Sequence, residues 1–433
     1  MLACSDEPQS PEQSKMAAAV ETAEPLLVDL LVHADPGQLV CKLLGLAEAL
    51  VLSGVCKSLH KLMLTETTRA RNAWIAAKTS AEEPKVWQNT SYFCVQIAVA
   101  AGYLSMLAYL QERRHLSWFK YDKTTCATAA KHGQLACLQY AHKHKFEWDG
   151  ETCRLAAGNG HLDCLQYAHE NGCRWDEWTC TEAARNGKLD CLIYAHEHGC
   201  PWSDVTCQVA AKGGYFDCLK YLHEHGCPWN KETCSATAEI GRLECLQYAH
   251  EHRCPWDAWT CTEAARNGNL DCLIYAHEHD CPWGMLACYA AAKNGKVECL
   301  KYLHENGCPW DTSVCEQAAS KGHLDCLKYA HEQGCPWNKS TCTWAAENGH
   351  LDCLQYLHEH DCPWDRWTCH AAASKGHFEC LKYAHEHGCR WDGYTYILAE
   401  ERRCLDCLIY LHEKNCPGSE SRRHPREWCF DTR

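Results

Sequence analysis

From residue 126 to residue 395 the apolar and polar positions repeat every 27 residues without a slip. One unit, from Cys180 to Thr206, reads CTEAARNGKLDCLIYAHEHGCPWSDVT, and its spacing predicts two helices. Thr179 suits the N-cap of the first, where its hydroxyl can accept from an unpaired backbone N–H. That helix runs through Ala183 and Ala184 to Asn186, and Gly187 stops it with the left-handed backbone that a helix C-terminus favours. The second begins near Leu189, with Asp190 in the first turn, where the helix dipole favours an anion. Cys191, Leu192, Tyr194 and Ala195 then fall at i, i+1, i+3 and i+4, an apolar stripe at helical period. Gly199 closes this helix and Pro201 prevents continuation. A helix pair this small cannot bury its own apolar face, so it is stable only when stacked on neighbours.

About 12 units fill residues 95–418. A looser copy precedes the ten full ones, with Gly102, Leu104, Tyr109 and Trp118 in matching places. A truncated copy follows, with Tyr396 and Arg403 where Cys and Gly stand elsewhere, and degenerate ends of this kind are expected of caps. The helix-two signatures LQYAH, LIYAH and LKYLH at 165, 192 and 219 recur in order at 246, 273 and 300, an offset of three units. Duplication in blocks accounts for that, and it implies a scaffold tolerant of changes in length. The expected fold is an all-α helix-turn-helix solenoid with a small N-terminal helical domain. Residues 1–22, polar and Ala-rich, are expected to be disordered, 65–94 to be a linker or helical cap, and 419–433 a tail.

The repeat explains a composition that is otherwise odd. Of 37 cysteines, 31 sit in three series of step 27, and the series from Trp148 to Trp391 accounts for 18 Trp against 6 Phe. The cysteine count therefore measures duplication more than an oxidising compartment. The six outside the register, Cys4, Cys41, Cys56, Cys94, Cys404 and Cys429, are an ordinary number. The N-terminus lacks the basic start and apolar core of a signal peptide, so disulfides are not the default and an intracellular, cytoplasmic protein is expected. Asp29, Asp35, Lys42 and Glu48 interrupt the richest apolar stretch, Leu26 to Val55, so no membrane span is expected. A net charge of −14 gives no electrostatic footprint for nucleic-acid phosphates.

Within a unit, Cys180, Cys191, His196 and Cys200 are a soft ligand set of the kind zinc takes. Helix geometry argues against it, because Cys191 and His196, five residues apart, point roughly 140° away from each other. Buried thiols also pack as small hydrophobes. No metal and no cofactor are expected, and a metal- or redox-responsive Cys/His array stands as the alternative. Catalysis is not expected either: the Cys, His and Asp that a hydrolase would need recur in every copy, whereas an active site is a singular feature.

The stretch TCTWAAENGHLDCLQYLHEHDCPWD, from Thr341 to Asp365, resembles an ankyrin repeat. Thr341, Cys342, Ala345 and Ala346 are similar to its T-P-L-H-x-A-A helix start. Gly349, His350, Asp352, Cys353, Leu354, Tyr356, Leu357, His358, Cys362 and Trp364 match the G-H-x-E-V-V-x-L-L-L-x-x-G-A-D that follows. Ankyrin repeats run about 33 residues, and the deficit falls in C-P-W-D-x-x-T, where ankyrin makes its projecting β-hairpin. The resemblance therefore implies a variant with no finger, or only a tight turn.

Residues 24–64 resemble an F-box. Leu39, Val40, Leu43, Leu44 and Leu46 look like its first helix and turn. Leu50, Leu52, Val55, Cys56, Lys57 and Leu59 look like the L-x-x-L-x-x-V-C-K helix that follows. The usual Leu-Pro opening reads Asp35-Pro36 here. A helical domain capping the first repeat is the alternative. The F-box resemblance implies that Leu39, Leu43, Leu46, Leu50, Leu52 and Val55 dock on the adaptor subunit of a cullin–RING ubiquitin ligase.

By analogy with ankyrin's concave face, the positions that vary between units should be exposed and meet a protein partner. Among them are Trp178, Glu182, Arg185, Trp259, Glu263, Arg266, Trp344, Glu347, Trp367 and His370, a set rich in the Trp and Arg of binding hot spots. The expected function is a non-enzymatic scaffold for protein partners. A substrate-recognition subunit of a ligase and a plain adaptor are its two forms. The Trp of each C-P-W is expected to close the gap between units.

Overall fold

A computed structural model describes residues 95–105, 107–108 and 123–420. The segments 1–22, 24–64 and 65–94, with Leu39, Leu43, Leu46, Leu50, Leu52 and Val55, lie outside the described residues. Only the first two residues of the expected tail, 419 and 420, are described. The chain divides into two compact units, Met1–Thr206 and Cys207–Arg433. Among the described residues everything regular is helix. Residues 95–101 are helical, and eleven helix pairs follow from Thr124–Lys131 with Leu135–Lys143 to Gly393–Arg402 with Leu405–Glu413. The C-P-W-D segments between pairs are short and irregular, with no β-hairpin.

Glu177–Arg185 and Leu189–Glu197 show how each pair is built. The first helix begins two residues ahead of Thr179, because Asp176 is the N-cap: its backbone is extended and its Oδ1 accepts from the Trp178 N–H at 3.1 Å. Thr179 is instead the third residue of the helix and is buried. The W-D-x-x-T spacing offers two cap-forming residues, and the one nearer the linker takes the role. At Asn230, Asn338 and Asp392 the same Thr completes a capping box, its hydroxyl accepting from the N-cap N–H at 3.3–3.5 Å. Both helices end as their glycines predict. Cys200 N–H reaches Ala195 O, Gly199 N–H reaches His196 O, and Gly199 takes φ 82°, which is a Schellman closure.

Within each compact unit, first helices pack side by side with those of the neighbouring repeats, and each second helix lies on its own first helix. The small residues allow this close approach: Ala264, Ala265, Ala291 and Ala292 are fully buried where the first helices meet, with Leu273 and Leu300 beneath them. Glycine is required at Gly322, which combines φ 73° with a Cβ position only 2.5 Å from the His350 Nδ1 of the next repeat. In the terminal repeat Arg403 stands in the corresponding place and adopts φ 58°.

The cysteines after the second helices do more than fill space. The Cys200 thiol donates to the carbonyl of Asp176, the N-cap of its own repeat, at 3.1 Å; Cys335 does the same to Asp311 at 3.3 Å and Cys389 to Asp365 at 3.1 Å. Each of these thiols thereby fastens the exit of one helix pair to its entrance, a role suited to a weak donor that packs as a hydrophobe.

A second contact joins successive repeats. His250 stacks on Trp256 of its own C-P-W, with ring centroids 4.1 Å apart, and its Nδ1 shares a 3.0 Å hydrogen bond with the hydroxyl of Tyr275 in the next repeat. Tyr275 also meets the Trp256 ring edge-on at 6.5 Å. The arrangement recurs at His223, Trp229 and Tyr248, and at His331, Trp337 and Tyr356. Within a compact unit the linker tryptophans thus bridge consecutive repeats through their histidines. Burial, and then the neighbouring imidazoles His252, His279 and His360, hold His223, His250 and His331 below the ordinary histidine value.

Candidate interaction surface

Trp178, Glu182 and Arg185 lie at i, i+4 and i+7 of Glu177–Arg185 and share one face of that helix. Trp178 is 44% exposed, and Arg185 Nε donates to Glu182 Oε1 at 3.3 Å. In the second compact unit Trp259, Glu263 and Arg266 repeat the arrangement on Ala258–Asn267, with Arg266 Nη1 3.5 Å from Glu263 Oε1. Trp344 is exposed on Lys339–Glu347, where Glu347 pairs with Lys375 of the next repeat at 3.4 Å. Trp367, 52% exposed, lies on Arg366–Lys375. The charged members of the set are thus matched by opposite charges, and exposed pairs of this kind contribute little. The tryptophans are the groups left bare.

His370 departs from the expectation of exposure. It is buried, 4% exposed, with Nε2 2.9 Å from Oδ1 of Asp392, the N-cap of the next repeat, and its ring edge-on between Trp367 and Tyr394. It occupies the place of Thr181 and Thr262, which are also buried, and the Thr181 hydroxyl lies 3.1 Å from that of Thr206 in the following repeat. Asp392 supplies the polar partner that an imidazole needs there.

The structure also separates the predicted residues. In the second compact unit, first helices Met285–Lys293 and Thr312–Lys321 intervene between Trp259 and Trp344. Each cluster gains apolar members that the sequence reading missed. Met285 and Leu286 are more than half exposed in the repeat after Trp259, and Tyr394 is exposed in the repeat after Trp367. Leu286 and Tyr394 stand two places before the first repeat cysteine or its substitute, the position of Trp178, Trp259 and Trp367. The signal was therefore present as a variable column, and only its tryptophans were read. Beside Trp367 an open groove of about 680 Å³ is lined by Lys339, Trp364, Asp365, Arg366 and Arg390.

The soft ligand set does not converge. Cys200 donates to Asp176 O, while His196 stacks on Trp202 with centroids 3.8 Å apart. Among the described residues no group of three or more His, Cys, Asp and Glu is placed to hold a metal ion. No described helix is long and apolar enough to cross a membrane.

Residues 261–341, 315–392 and 344–420 each match the family model for ankyrin repeats. Residues 261–420 carry ankyrin repeats. Ankyrin repeats are protein-interaction modules and in general non-enzymatic scaffolds. Among solved structures, the human ASB11 ankyrin repeat domain is 17% identical with a TM-score of 0.33, over 36% of this chain and 84% of its own. The sequence matches no curated protein.

Proposed function

We propose that this chain is an intracellular scaffold that holds a protein partner on the first-helix face of its ankyrin repeats, anchored by the tryptophans at 178, 259, 344 and 367. The observation that carries the reading is the recurrence of exposed apolar side chains at one column, Trp259 with Leu286 and Trp367 with Tyr394, among charges that are already paired. Bare aromatics of this kind make binding hot spots, where truncation typically costs more than about 1 kcal/mol. The test is affinity capture from cell extract with the wild type and a Trp259→Ala/Trp367→Ala variant of matched thermal stability. The variant is expected to lose its principal captured protein, and an unchanged set of captured proteins refutes the surface.

The finer form is a substrate-recognition subunit, with Leu39, Leu43, Leu46, Leu50, Leu52 and Val55 docking on the adaptor of a cullin–RING ligase. The leucine pattern of residues 24–64 supports it. Such an arrangement acts by effective concentration, with substrate on the repeats and ligase on the same chain. A pull-down with the adaptor subunit distinguishes this from a plain adaptor. Wild type should bind and a Leu43→Asp/Leu52→Asp variant should not, while failure of the wild type leaves the plain adaptor.

A further inference from the structure

The residue that caps each second helix is His, Lys, Arg, Asn, Gln or Tyr in the other copies and Cys only in the last, at Cys404. Three residues on stands Cys407, the second-helix cysteine common to every copy after the first. Cys404 is the N-cap of the nine-residue helix Leu405–Glu413, and its Sγ comes within 2.9 Å of the Cys407 Sγ. Cys404 is partly exposed while Cys407 is buried. The partly exposed Cys404, whose Sγ also lies 3.6 Å from the carbonyl of Gly376, thus places its sulfur against that of a buried cysteine. This constellation occurs once among the described residues, because only Cys404 stands outside the repeat register.

We propose that Cys404 and Cys407 form a redox-active dithiol that closes to an intramolecular disulfide by exchange with a small disulfide in solution. A disulfide needs a sulfur separation of about 2.05 Å, so the two sulfurs have less than about 1 Å to travel from where they stand. Cys404, as thiolate, attacks the small disulfide; its sulfur–sulfur bond breaks, one small thiol leaves, and a mixed disulfide remains on Cys404. Cys407 then gives up its proton and attacks the Cys404 sulfur, and the second small thiol departs. Two protein thiols lose two electrons and two protons, and the small disulfide gains both as two thiols. Burial pushes the Cys407 thiol up, and its hydrogen bond with Cys404 adds to this, so Cys407 stays protonated until a mixed disulfide stands opposite it. The order of events is thereby set by position: the outer sulfur exchanges and the inner one resolves.

The full chain is equilibrated with mixtures of oxidised and reduced glutathione, quenched in acid, unfolded, alkylated and mapped by mass spectrometry. The peptide holding Cys404 and Cys407 should lose both alkylation sites and two hydrogens, with no glutathione attached, at a ratio where the peptides of Cys180 and Cys335 remain fully alkylated. Cys407→Ser should trap one glutathione on Cys404, and Cys404→Ser should leave Cys407 fully alkylated. Because Cys407 is buried, Cys407→Ala is carried in parallel, and circular dichroism confirms the fold of each variant. Should both Cys407 variants unfold, the wild-type map decides alone. Glutathione held on wild-type Cys404 beside an alkylated Cys407 overturns the proposal. So does oxidation of the pair only at ratios where the repeat cysteines oxidise as well.

Discussion

His250 shows what one side chain contributes to holding two repeats together. It stacks on Trp256 behind it and hydrogen-bonds Tyr275 ahead of it, so a single imidazole spans the junction. Removing the hydroxyl with Tyr275→Phe should cost about 0.5–1.5 kcal/mol, the usual net worth of such a bond, read as a lower urea midpoint. The histidines of these junctions also set a pH dependence. Burial holds His169, His223, His250, His331 and His358 below their ordinary value, so the folded state favours the neutral ring. Their contribution is complete above about pH 6.5, the unfolded value, and is lost as pH falls through the lower folded values. The thermal midpoint at pH 5 should lie below that at pH 7, and a midpoint that stays level or rises contradicts this. Arg403 is an independent case. Its φ of 58° is a conformation that costs an L-residue about 1–2 kcal/mol, and Arg403→Gly should recover much of that as a higher midpoint.

Each helix pair stands or falls on its caps and on the leucine between its helices. Asp257, whose Oδ1 accepts from the Trp259 N–H at 3.0 Å, opens Ala258–Asn267. Asp257→Ala should cost about 1 kcal/mol. Leu300, fully buried in Val297–Glu305, should cost about 2–5 kcal/mol when cut to Ala, through lost burial and the cavity left behind. Both are read by chemical denaturation. At this level the sequence was informative: Gly187 and Gly199 end their helices where the spacing placed them, and Cys191, Leu192 and Ala195 form the buried stripe. The start of the first helix was misread because Asp176 and Thr179 can both cap and only the linker's path selects Asp176. His370 was misread because a position that varies suggests a solvent-facing side chain, while the partner that buries it, Asp392, lies 22 residues away. The His–Tyr contact was equally hidden. Both series were visible at period 27, yet their pairing across 25 residues depends on how one repeat sits on the next.

An array of near-identical junctions should tolerate the loss of a whole copy. Excising residues 288–314 joins Ala287 to Cys315 and keeps every series in register. The shortened chain should remain soluble with unchanged helicity per residue by circular dichroism and with reduced stability, since stability in such arrays grows with repeat number. Aggregation or lost helicity would show that this copy is not interchangeable with the rest. The histidine stacked on tryptophan, with the next repeat's tyrosine resting on both, carries this further. It gives each full copy a leading side and a trailing side, and within each compact unit the trailing side of one copy matches the leading side of the next. Slippage of the gene by any whole number of 27-codon blocks therefore produces a junction already matched, so the number of repeats can drift between generations without a new interface having to be invented.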